Sequence, residues 1–550
     1  MWTQTIVLVV HAQFKMMNVL VCDPISAEGI AALQQCEGLN VIVLDKRPTE
    51  EELIAQVADI NAIVVRSETK ITRNVISAAR SLKVVGRAGV GVDNVDVAAA
   101  TEAGVVVMNT PSGNTIATAE LTCTMMMNLA RKAPAADASM KAGKWDRKTL
   151  KGTELFGKTL GVVGMGRIGT EVTKRMQAFG MNVITYSPIL SAAMAKELGV
   201  EMVSMEEIYK RADYITFHVP LTNETRGLID AAAMRKMKHG VRLVNCARGG
   251  IIVENDLIEA LKEGQVAAAA LDVYTQEPLP ADHPLRSAPN LIMTPHLGAS
   301  SKEAQIRVGI EIAEGICAYL KQGEIRNAVN LPDWNMDGCD YSMVKPYLQL
   351  GEKLGAMAAQ LAPLSNETLS VTFGGKAAAL RPDPVVRAVL YGFLKTRSGG
   401  MNYINVHAKA AAIGLKVKTE QSTESLDFNE WIRVSVDSAE NGNSNTVTVG
   451  GTFFGASMAP RIVRVNNFHV EVVPQGVILM NKNMDKPGVV AKTSVLLGRH
   501  NINIANMTLD RNSTGGEALM VLNLDSVPPT DVVEELKKET DITDVRVMVL

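Results

Sequence analysis

The chain is organised around residues 160–169, which read Leu160-Gly161-Val162-Val163-Gly164-Met165-Gly166-Arg167-Ile168-Gly169. An apolar run precedes the last three glycines, and apolar residues then recur every three or four positions up to Phe179, so the stretch predicts a strand, a glycine turn and a helix. In such a turn the first glycine makes the bend, the second lets a pyrophosphate approach the backbone, and the third lets the helix pack on the strand. The pattern therefore predicts a dinucleotide site at the helix N-terminus. The alternative is an ordinary strand–helix turn in an α/β sheet.

Length and composition narrow the class of protein. The 550 residues exceed what one core can hold, so several domains are expected, and 47% apolar with 21% charged residues is typical of a globular protein in water. A net charge of −2 argues against nucleic-acid and membrane partners. The six cysteines contain no CxxC, so neither a metal site nor a disulfide framework is predicted, and a reducing cytoplasm is the expected location.

Residues 1–16 contain an apolar run without a basic start or a cleavage site. The run is too short to span a bilayer. We interpret these residues as an N-terminal extension, the alternative being a secretory signal, because Met17 opens a clearer strand.

Short apolar strands alternate with amphipathic helices through most of the first 330 residues, which predicts two doubly wound α/β units. The second unit carries six strand signals, and a long helix over Ser301–Lys321 is expected to return to the first unit. The predicted domains are 17–115 together with 299–330, then 116–298, 331–475 and 476–550.

The remaining segments show a different order of helix and strand signals. Residues 331–475 mix helices with alternating strands and a hairpin loop at 441–445, which predicts an α+β domain. Its basic residues either form an anion site or a solvated face: Arg381, Arg387, Lys395, Arg397, Arg461 and Arg464. Residues 476–550 follow the order βαββαβ, which predicts a ferredoxin-like unit.

Three complementary side chains follow late strands of the second unit: Arg248, Glu277 and His296. Oxidation of an alcohol needs a base for the hydroxyl proton while hydride leaves for a nicotinamide, and histidine suits that role. A neighbouring carboxylate favours the imidazolium that forms, and an arginine can clamp a substrate carboxylate. Each residue alone also has a purely structural interpretation, but together they predict a catalytic group at the carboxyl edge of the sheet.

Residues 17–330 resemble the D-isomer-specific 2-hydroxyacid dehydrogenase family. The resemblance is carried by Val65-Arg66-Ser67, Gly86–Asp93, Asn109–Asn114, the glycine turn, Asn245–Gly250 and Pro295–Ser300. The whole length resembles the long form of the D-3-phosphoglycerate dehydrogenases, which carry an intervening domain and a C-terminal ACT domain. The segment 331–475 would then be an intervening domain similar to an allosteric substrate-binding domain.

The resemblance implies roles for particular residues. The catalytic residues would be Arg248, Glu277 and His296, and the substrate would contact Arg66, Ser67, Gly89 and Asn114. The cofactor, NAD, would contact Val90, Gly164, Gly166, Arg167, Ile168, Gly169, Ser187, Val219, Cys246, Ala247, Asp272 and Gly298.

One cofactor position departs from the usual pattern. The second strand normally ends in an acidic residue that binds the ribose hydroxyls, and here Ser187 stands in that place. Serine can bond a hydroxyl but does not repel a 2′-phosphate, and no arginine lies between residues 187 and 198 to attract one. We therefore expect NAD use with weakened discrimination against NADP.

The resemblance further implies NAD-dependent oxidation of 3-phospho-D-glycerate to 3-phosphooxypyruvate, the first step of L-serine biosynthesis. It also implies L-serine as an effector held by Asn483, Asp485 and Asn503 of the ACT unit, the alternative being a dimerisation module without a ligand. The helix predicted over residues 117–131, which carries Met125-Met126-Met127, and the ACT unit both favour pairing, so a homo-oligomer is expected, either a dimer or a tetramer. Two other functions stay open: another NAD(P)-dependent D-2-hydroxyacid dehydrogenase, such as a glyoxylate or hydroxypyruvate reductase, or a dinucleotide-sensing binding protein without activity.

Overall fold

A computed structural model describes residues 16–331, 341–363, 365, 367–397, 401–424, 426–440, 443–455 and 457–550. Residues 1–15 of the predicted extension, the start of the predicted third domain at 332–340, and residues 441–442 of the predicted hairpin loop lie outside the described residues. In the described ranges, no helix combines the length and the apolar character needed to cross a bilayer.

The first sheet is parallel and five-stranded, in the order β2-β1-β3-β4-β5. Its strands are β1 (Met17–Val21), β2 (Leu39–Val43), β3 (Ile60–Val65), β4 (Val84–Arg87) and β5 (Val106–Met108). The helices between them are α1 (Ala27–Gln34), α2 (Glu50–Gln56), α3 (Arg73–Ala78) and α4 (Val97–Ala103). The alternation of strand and helix therefore produces the open parallel sheet that the sequence predicts.

The second sheet is parallel and seven-stranded, in the order β12-β11-β10-β9-β6-β7-β8. The strands are β6 (Thr159–Val163), β7 (Asn182–Tyr186), β8 (Glu201–Met202), β9 (Tyr214–Phe217), β10 (Val241–Asn245), β11 (Val266–Leu271) and β12 (Leu291–Met293). The helices are α5 (Thr115–Arg131), α6 (Ala133–Lys141), α7 (Arg167–Ala178), α8 (Ala192–Glu197), α9 (Met205–Arg211), α10 (Ala231–Lys236) and α11 (Glu254–Glu263). The prediction of six strands missed β8, because an exposed two-residue edge strand has no apolar signal.

The strand order of this second sheet reverses at β6, which pairs with β7 on one side and β9 on the other. Ligands of open α/β sheets bind outside the carboxyl ends of the strands at such a reversal. The glycine turn follows β6 and therefore lies at this point of the sheet.

A long helix, α12 (Lys302–Gln322), returns to the first sheet and packs against α1, as the sequence predicts. The two helices touch at glycines: a Cβ added to Gly29 would lie 2.7 Å from the carbonyl carbon of Gly309. The start of α12 also contacts the loop between the two units, where Arg307 Nε donates to the Gly113 carbonyl at 3.1 Å. Helix α12 thus joins the two lobes.

The third sheet is mixed, with the order β14-β13-β15-β16-β17-β18. It contains β13 (Thr368–Gly375), β14 (Lys416–Ser422), β15 (Glu430–Glu440), β16 (Asn443–Phe454), β17 (Ala459–Val465) and β18 (Phe468–Val472), with α13 (Tyr341–Leu361), α14 (Pro382–Lys395) and α15 (Val406–Ala412). Glu440 pairs with Asn443, so β16 begins three residues earlier than the predicted loop 441–445 allows.

The fourth sheet is antiparallel, with the order β20-β21-β19-β22. It contains β19 (Val477–Met484), β20 (Ile504–Arg511), β21 (Glu517–Leu524) and β22 (Ile542–Val549), with α16 (Val489–Arg499) and α17 (Thr530–Lys537) on one face. This is the predicted βαββαβ unit.

We predict that Gly29→Ala destabilises the first lobe by about 1–3 kcal/mol, because the new methyl group must push α1 away from the backbone of α12. Gly315→Ala, on the same helix pair, is the matched control, because a Cβ there would meet Met108 Sδ at an ordinary 3.6 Å. Denaturant unfolding measures both variants. Equal stability of the two variants would contradict the close packing of α1 on α12.

Candidate active site

The glycine turn has the geometry that close approach to a phosphate requires. Gly164 has φ +96°, and a Cβ there would lie 2.6 Å from the His218 carbonyl oxygen. A Cβ on Gly169 would lie 2.2 Å from the Gly164 carbonyl oxygen, so the helix packs directly on the turn. A Cβ on Gly166 would meet no described atom within 4 Å. The first and third glycines are therefore required by the protein itself, whereas the second faces open space.

The start of α7 fits a negatively charged group. Gly166 is its N-cap residue and supplies no capping side chain, so the first N–H groups of the helix are left for another acceptor. Arg167 is exposed and Ile168 is half-buried beside it. This arrangement fits the pyrophosphate of a dinucleotide.

The neighbouring strand ends complete the predicted cofactor surface. Ser187 directly follows β7 and is buried, and Val219 lies two residues beyond β9, against the Gly164 turn. Cys246 follows β10 and is buried, and burial raises the pKa of its thiol to about 12, so the thiol is neutral. Ala247 N–H donates to the Asn245 side chain at 3.0 Å.

His218, which the sequence analysis did not single out, directly follows β9 and is half-buried. Burial lowers the pKa of its imidazole to about 3, so the ring is neutral. Its Nε2 lies 3.1 Å from Thr216 Oγ1, and its buried Nδ1 has no hydrogen-bond partner among the described residues. Its position directly after β9 is the feature of the sequence that could have identified it as a site residue.

The structure brings His296 and Glu277 together. His296 Nδ1 lies 2.6 Å from Glu277 Oε2, and Glu277 Oε1 accepts a hydrogen bond from the Tyr274 N–H at 2.9 Å. Burial raises the pKa of the Glu277 carboxyl, but the hydrogen bonds from His296 and Tyr274, together with the Arg248 charge, hold it below its usual range. Glu277 is therefore ionised near neutral pH and can only accept, so in the neutral form of the His296 ring Nδ1 carries the proton and Nε2 keeps its lone pair.

Asp272 holds the loop that carries His296. Its fully buried carboxylate accepts hydrogen bonds from Thr294 Oγ1 at 2.6 Å, Leu297 N–H at 2.7 Å and Gly298 N–H at 2.9 Å. Burial raises the pKa of this carboxyl in spite of those bonds. His296 itself has φ +55°, a conformation that costs free energy and that this network can maintain.

Arg248 reaches across the cleft between the two lobes. Its Nε lies 3.3 Å from Asp93 Oδ2 of the first lobe, and its Nη1 donates to the Ala247 carbonyl at 2.7 Å. A Cβ added to Gly91 would lie 2.0 Å from Arg248 Nη2, so the glycine-rich loop after β4 makes room for the guanidinium. The loop after β10 is also packed against the loop that carries Glu277, because a Cβ on Gly249 would lie 1.8 Å from the Tyr274 carbonyl oxygen.

A third cation, Arg87, was missed by the sequence analysis. It is half-buried at the end of β4, and desolvation, followed by the charges of Arg248 and Arg66, lowers the pKa of its guanidinium to about 10, while Asp93 and Asp23 act in the opposite direction. Its Nε is buried and unpartnered among the described residues. Three guanidinium groups therefore meet in the cleft, which suits a multiply charged anion.

The remaining predicted substrate residues lie on the same loops. The backbone N–H of Arg66 donates to Asp23 Oδ2 at 2.7 Å, so this bond does not involve the Arg66 guanidinium. Ser67, the next residue, is exposed. Gly89 has φ +148° and lies against the Arg87 side chain, and Val90 accepts a hydrogen bond from Asn109. Asn114 precedes α5 and its buried Oδ1 has no partner among the described residues.

The three predicted effector residues do not meet within one chain. Asn483 lies one residue before the end of β19. Asp485, just beyond that end, accepts hydrogen bonds from Arg511 Nη1 at 2.8 Å and from Gly515 N–H at 3.0 Å. Asn503 lies at the opposite end of the sheet, where it donates to Asp525 at 2.8 Å. Six residues of extended β19 separate the two ends, a distance of about 20 Å.

Three of the six basic residues predicted to form either an anion site or a solvated face have separate partners within the third domain. Arg387 pairs with Asp383, Lys395 pairs with Glu352, and Arg397 donates to three backbone carbonyls. In the part of the chain that the structure describes, no group of three His, Cys, Asp or Glu side chains is arranged to hold a metal ion.

Family models match three stretches of the chain. The NAD-binding domain of the D-isomer-specific 2-hydroxyacid dehydrogenases matches residues 123–298, the D-3-phosphoglycerate dehydrogenase intervening domain matches 343–466, and the ACT domain matches 477–541.

Curated relatives match nearly the whole length. The D-3-phosphoglycerate dehydrogenase of Methanocaldococcus jannaschii is 42% identical over 535 residues, which cover 97% of this chain and 100% of the relative. The Bacillus subtilis enzyme of the same name is 40% identical over 534 residues, covering 97% of this chain and 99% of the relative.

The chain belongs to the D-3-phosphoglycerate dehydrogenase family. Solved structures agree for the dehydrogenase part. A glyoxylate reductase from Paecilomyes thermophila matches with a TM-score of 0.53 and 32% identity, over 57% of this chain and 98% of its own. An NAD-dependent formate dehydrogenase from Staphylococcus aureus, in complex with NAD, matches with a TM-score of 0.52 and 30% identity, over 56% of this chain and 98% of its own.

These comparisons confirm the predicted family, the fold class and NAD as the cofactor. The individual site residues and the domain boundaries stay predictions.

We predict that Gly166→Ala leaves the fold intact and raises the Kd for NADH at least tenfold, because the added methyl group would occupy only the space where the pyrophosphate lies. Gly498→Ala is the control, since a Cβ there also meets no described atom within 4 Å, but it lies on the ACT unit far from the turn. NADH fluorescence titration and thermal melting measure both variants. Unchanged NADH affinity in Gly166→Ala would place the pyrophosphate elsewhere.

Proposed function

We propose that the chain catalyses NAD-dependent oxidation of 3-phospho-D-glycerate to 3-phosphooxypyruvate, the reaction that opens L-serine biosynthesis. The observation that carries this proposal is the cleft itself, where the paired His296 and Glu277 lie at the edge that also carries the arginine cluster. A base and several cations are what a doubly anionic hydroxy acid requires. The names of the curated relatives support the same substrate.

His296 acts as the general base. Because Nδ1 is held by the ionised Glu277, the lone pair on Nε2 takes the proton from the substrate hydroxyl, and Glu277 stabilises the imidazolium that results. Bound NAD supplies the hydride acceptor. Asp272 has a positioning role, because it fixes the backbone of the loop that carries His296.

The arginines bind the two charged ends of the substrate separately. Arg248 lies closest to the loops of Glu277 and Asp93, and it clamps the substrate carboxylate and polarises the reacting oxygen. Arg66 and Arg87 belong to the first lobe and hold the phosphate. A small unphosphorylated hydroxy acid has no need of these extra cations, which disfavours a glyoxylate reductase.

The chain assembles as a homo-oligomer. A surface around α6 exposes large apolar side chains that a second copy would cover, namely Met140, Trp145, Phe156 and Phe179. The ACT unit supplies a second reason, since Asn503 of one copy can approach Asp485 only across a pair of such units. L-serine binds between paired units, with its ammonium at Asp485.

Replacing His296 with alanine is expected to lower kcat by about 10²–10⁴-fold with 3-phospho-D-glycerate, because the hydroxyl proton loses its acceptor. NADH affinity, measured by fluorescence titration, should stay within twofold of the unaltered protein. If His296→Ala turned over substrate nearly as fast as the unaltered protein, His296 would not be the general base.

Arg66→Ala and Arg87→Ala should each raise KM for 3-phospho-D-glycerate tenfold or more, because each removes a cation from the proposed phosphate site. Arg80→Ala is the matched control, since Arg80 is an exposed arginine of the same lobe that follows α3. Initial rates of NADH formation give the comparison. If Arg87→Ala changed only the melting temperature, Arg87 would have a structural role instead.

Asp485→Ala is expected to weaken inhibition by L-serine at least tenfold while leaving turnover without serine unchanged. Glu534 is an exposed acidic residue of the same unit, so the Glu534→Ala variant should be inhibited by L-serine as strongly as the unaltered protein. The readout is the inhibition curve at saturating substrate. If millimolar L-serine changed neither the activity nor the melting temperature of the unaltered protein, the ACT unit would be a dimerisation module without a ligand.

A further inference from the structure

Two cysteines far apart in sequence lie side by side on the first lobe. Cys36 follows α1 and Cys317 belongs to α12, and both are half-buried against the same apolar core. The two elements are in close contact, because Gly29 of α1 lies against the Gly309 backbone.

An ion pair next to the two cysteines shows that the segments carrying them lie close together. Glu37 Oε2, beside Cys36, lies 4.0 Å from Lys321 Nζ, which is one helical turn beyond Cys317 on the same face of α12. The two thiols also interact directly. Burial, followed by a hydrogen bond with Cys36 and the charge of that thiolate, raises the pKa of the Cys317 thiol to about 12.

We propose that Cys36 and Cys317 are a modification site at which a reversible disulfide joins α1 to α12. Neither residue belongs to the proposed active site. The thiols lie where α1 ends and β2 begins, beside the amino end of β1, where the Met17 N–H donates to the Gly38 carbonyl at 2.9 Å. The cleft is at the opposite, carboxyl edge of this sheet.

A small disulfide, glutathione disulfide, is the oxidant. The Cys36 thiolate attacks one sulfur of that disulfide and expels one glutathione thiolate, which forms a mixed disulfide on Cys36. The sulfur of Cys317 then attacks the Cys36 sulfur, loses its proton and expels the second glutathione. Two protein thiols are oxidised by two electrons, and one glutathione disulfide is reduced to two glutathione thiols. Cys36 attacks first because the raised pKa of Cys317 makes it the poorer nucleophile.

The crosslink stabilises the protein without altering catalysis. It closes a loop of roughly 280 residues, and a loop of that length restricts the unfolded chain strongly. The native structure changes little, because α1 and α12 are already packed together. The melting temperature should therefore rise on oxidation while turnover stays the same.

The test uses the full-length chain equilibrated in glutathione buffers of graded thiol-to-disulfide ratio, then alkylated and digested without reduction. We expect titratable thiols in denaturant to fall from six to four, with a mass that joins the peptide of Cys36 to that of Cys317. The melting temperature should rise by several degrees, and turnover with 3-phospho-D-glycerate should stay within twofold.

Cys36→Ser and Cys317→Ser should each abolish the redox dependence of the melting temperature, and Cys36→Ala replaces the serine variant if that one fails to fold. Cys123→Ser is the matched control and should respond as the unaltered protein does, since Cys123 is buried on α5. Six thiols at every ratio, a disulfide between other cysteines, or glutathione left on Cys36 without the crosslink would each overturn the proposal.

Discussion

The hydrogen bond between Glu277 and His296 is the interaction on which the proposed chemistry depends. At 2.6 Å it fixes the ring and, because the pKa of Glu277 is held low, it also fixes which nitrogen carries the proton. In the proposed mechanism, the unprotonated Nε2 then acts as the base. Much of the surrounding structure maintains this pair: Asp272 holds the loop of His296, and the Tyr274 backbone holds the second oxygen of Glu277.

The opposite wall of the cleft is built from positive charge. Burial and repulsion from Arg66 and Arg248 act on Arg87 together, and the pKa of its guanidinium falls to about 10. Asp93 and Asp23 oppose these effects without removing them. In the proposed function, a doubly charged substrate relieves the repulsion between the arginines, and binding of its phosphate and carboxylate orients the hydroxyl toward His296.

Much of this arrangement could be predicted from the sequence, because strand ends and glycine turns are local features. The order of strands places Arg248, Glu277 and His296 at one edge, and each glycine of the 164–169 turn has a local reason to be glycine. Arg87 was missed because its importance comes from burial among other arginines, which no spacing reveals. The half-buried His218 was missed because the desolvation that keeps its ring neutral cannot be read from spacing either. The separation of Asn503 from Asp485 follows from strand order in the fourth sheet, so the proposed effector site would need a second copy, which one sequence cannot show.

Nitrogen-15 NMR of the histidine rings tests the central claim most directly, with the His296 signals identified among the eight histidines by difference against His296→Gln. In the neutral ring of His296 we expect a protonated Nδ1 and an unprotonated Nε2, because the ionised Glu277 can only accept a hydrogen bond. A neutral His296 ring with the proton on Nε2 would contradict this account, since that ring could not take a proton from the substrate.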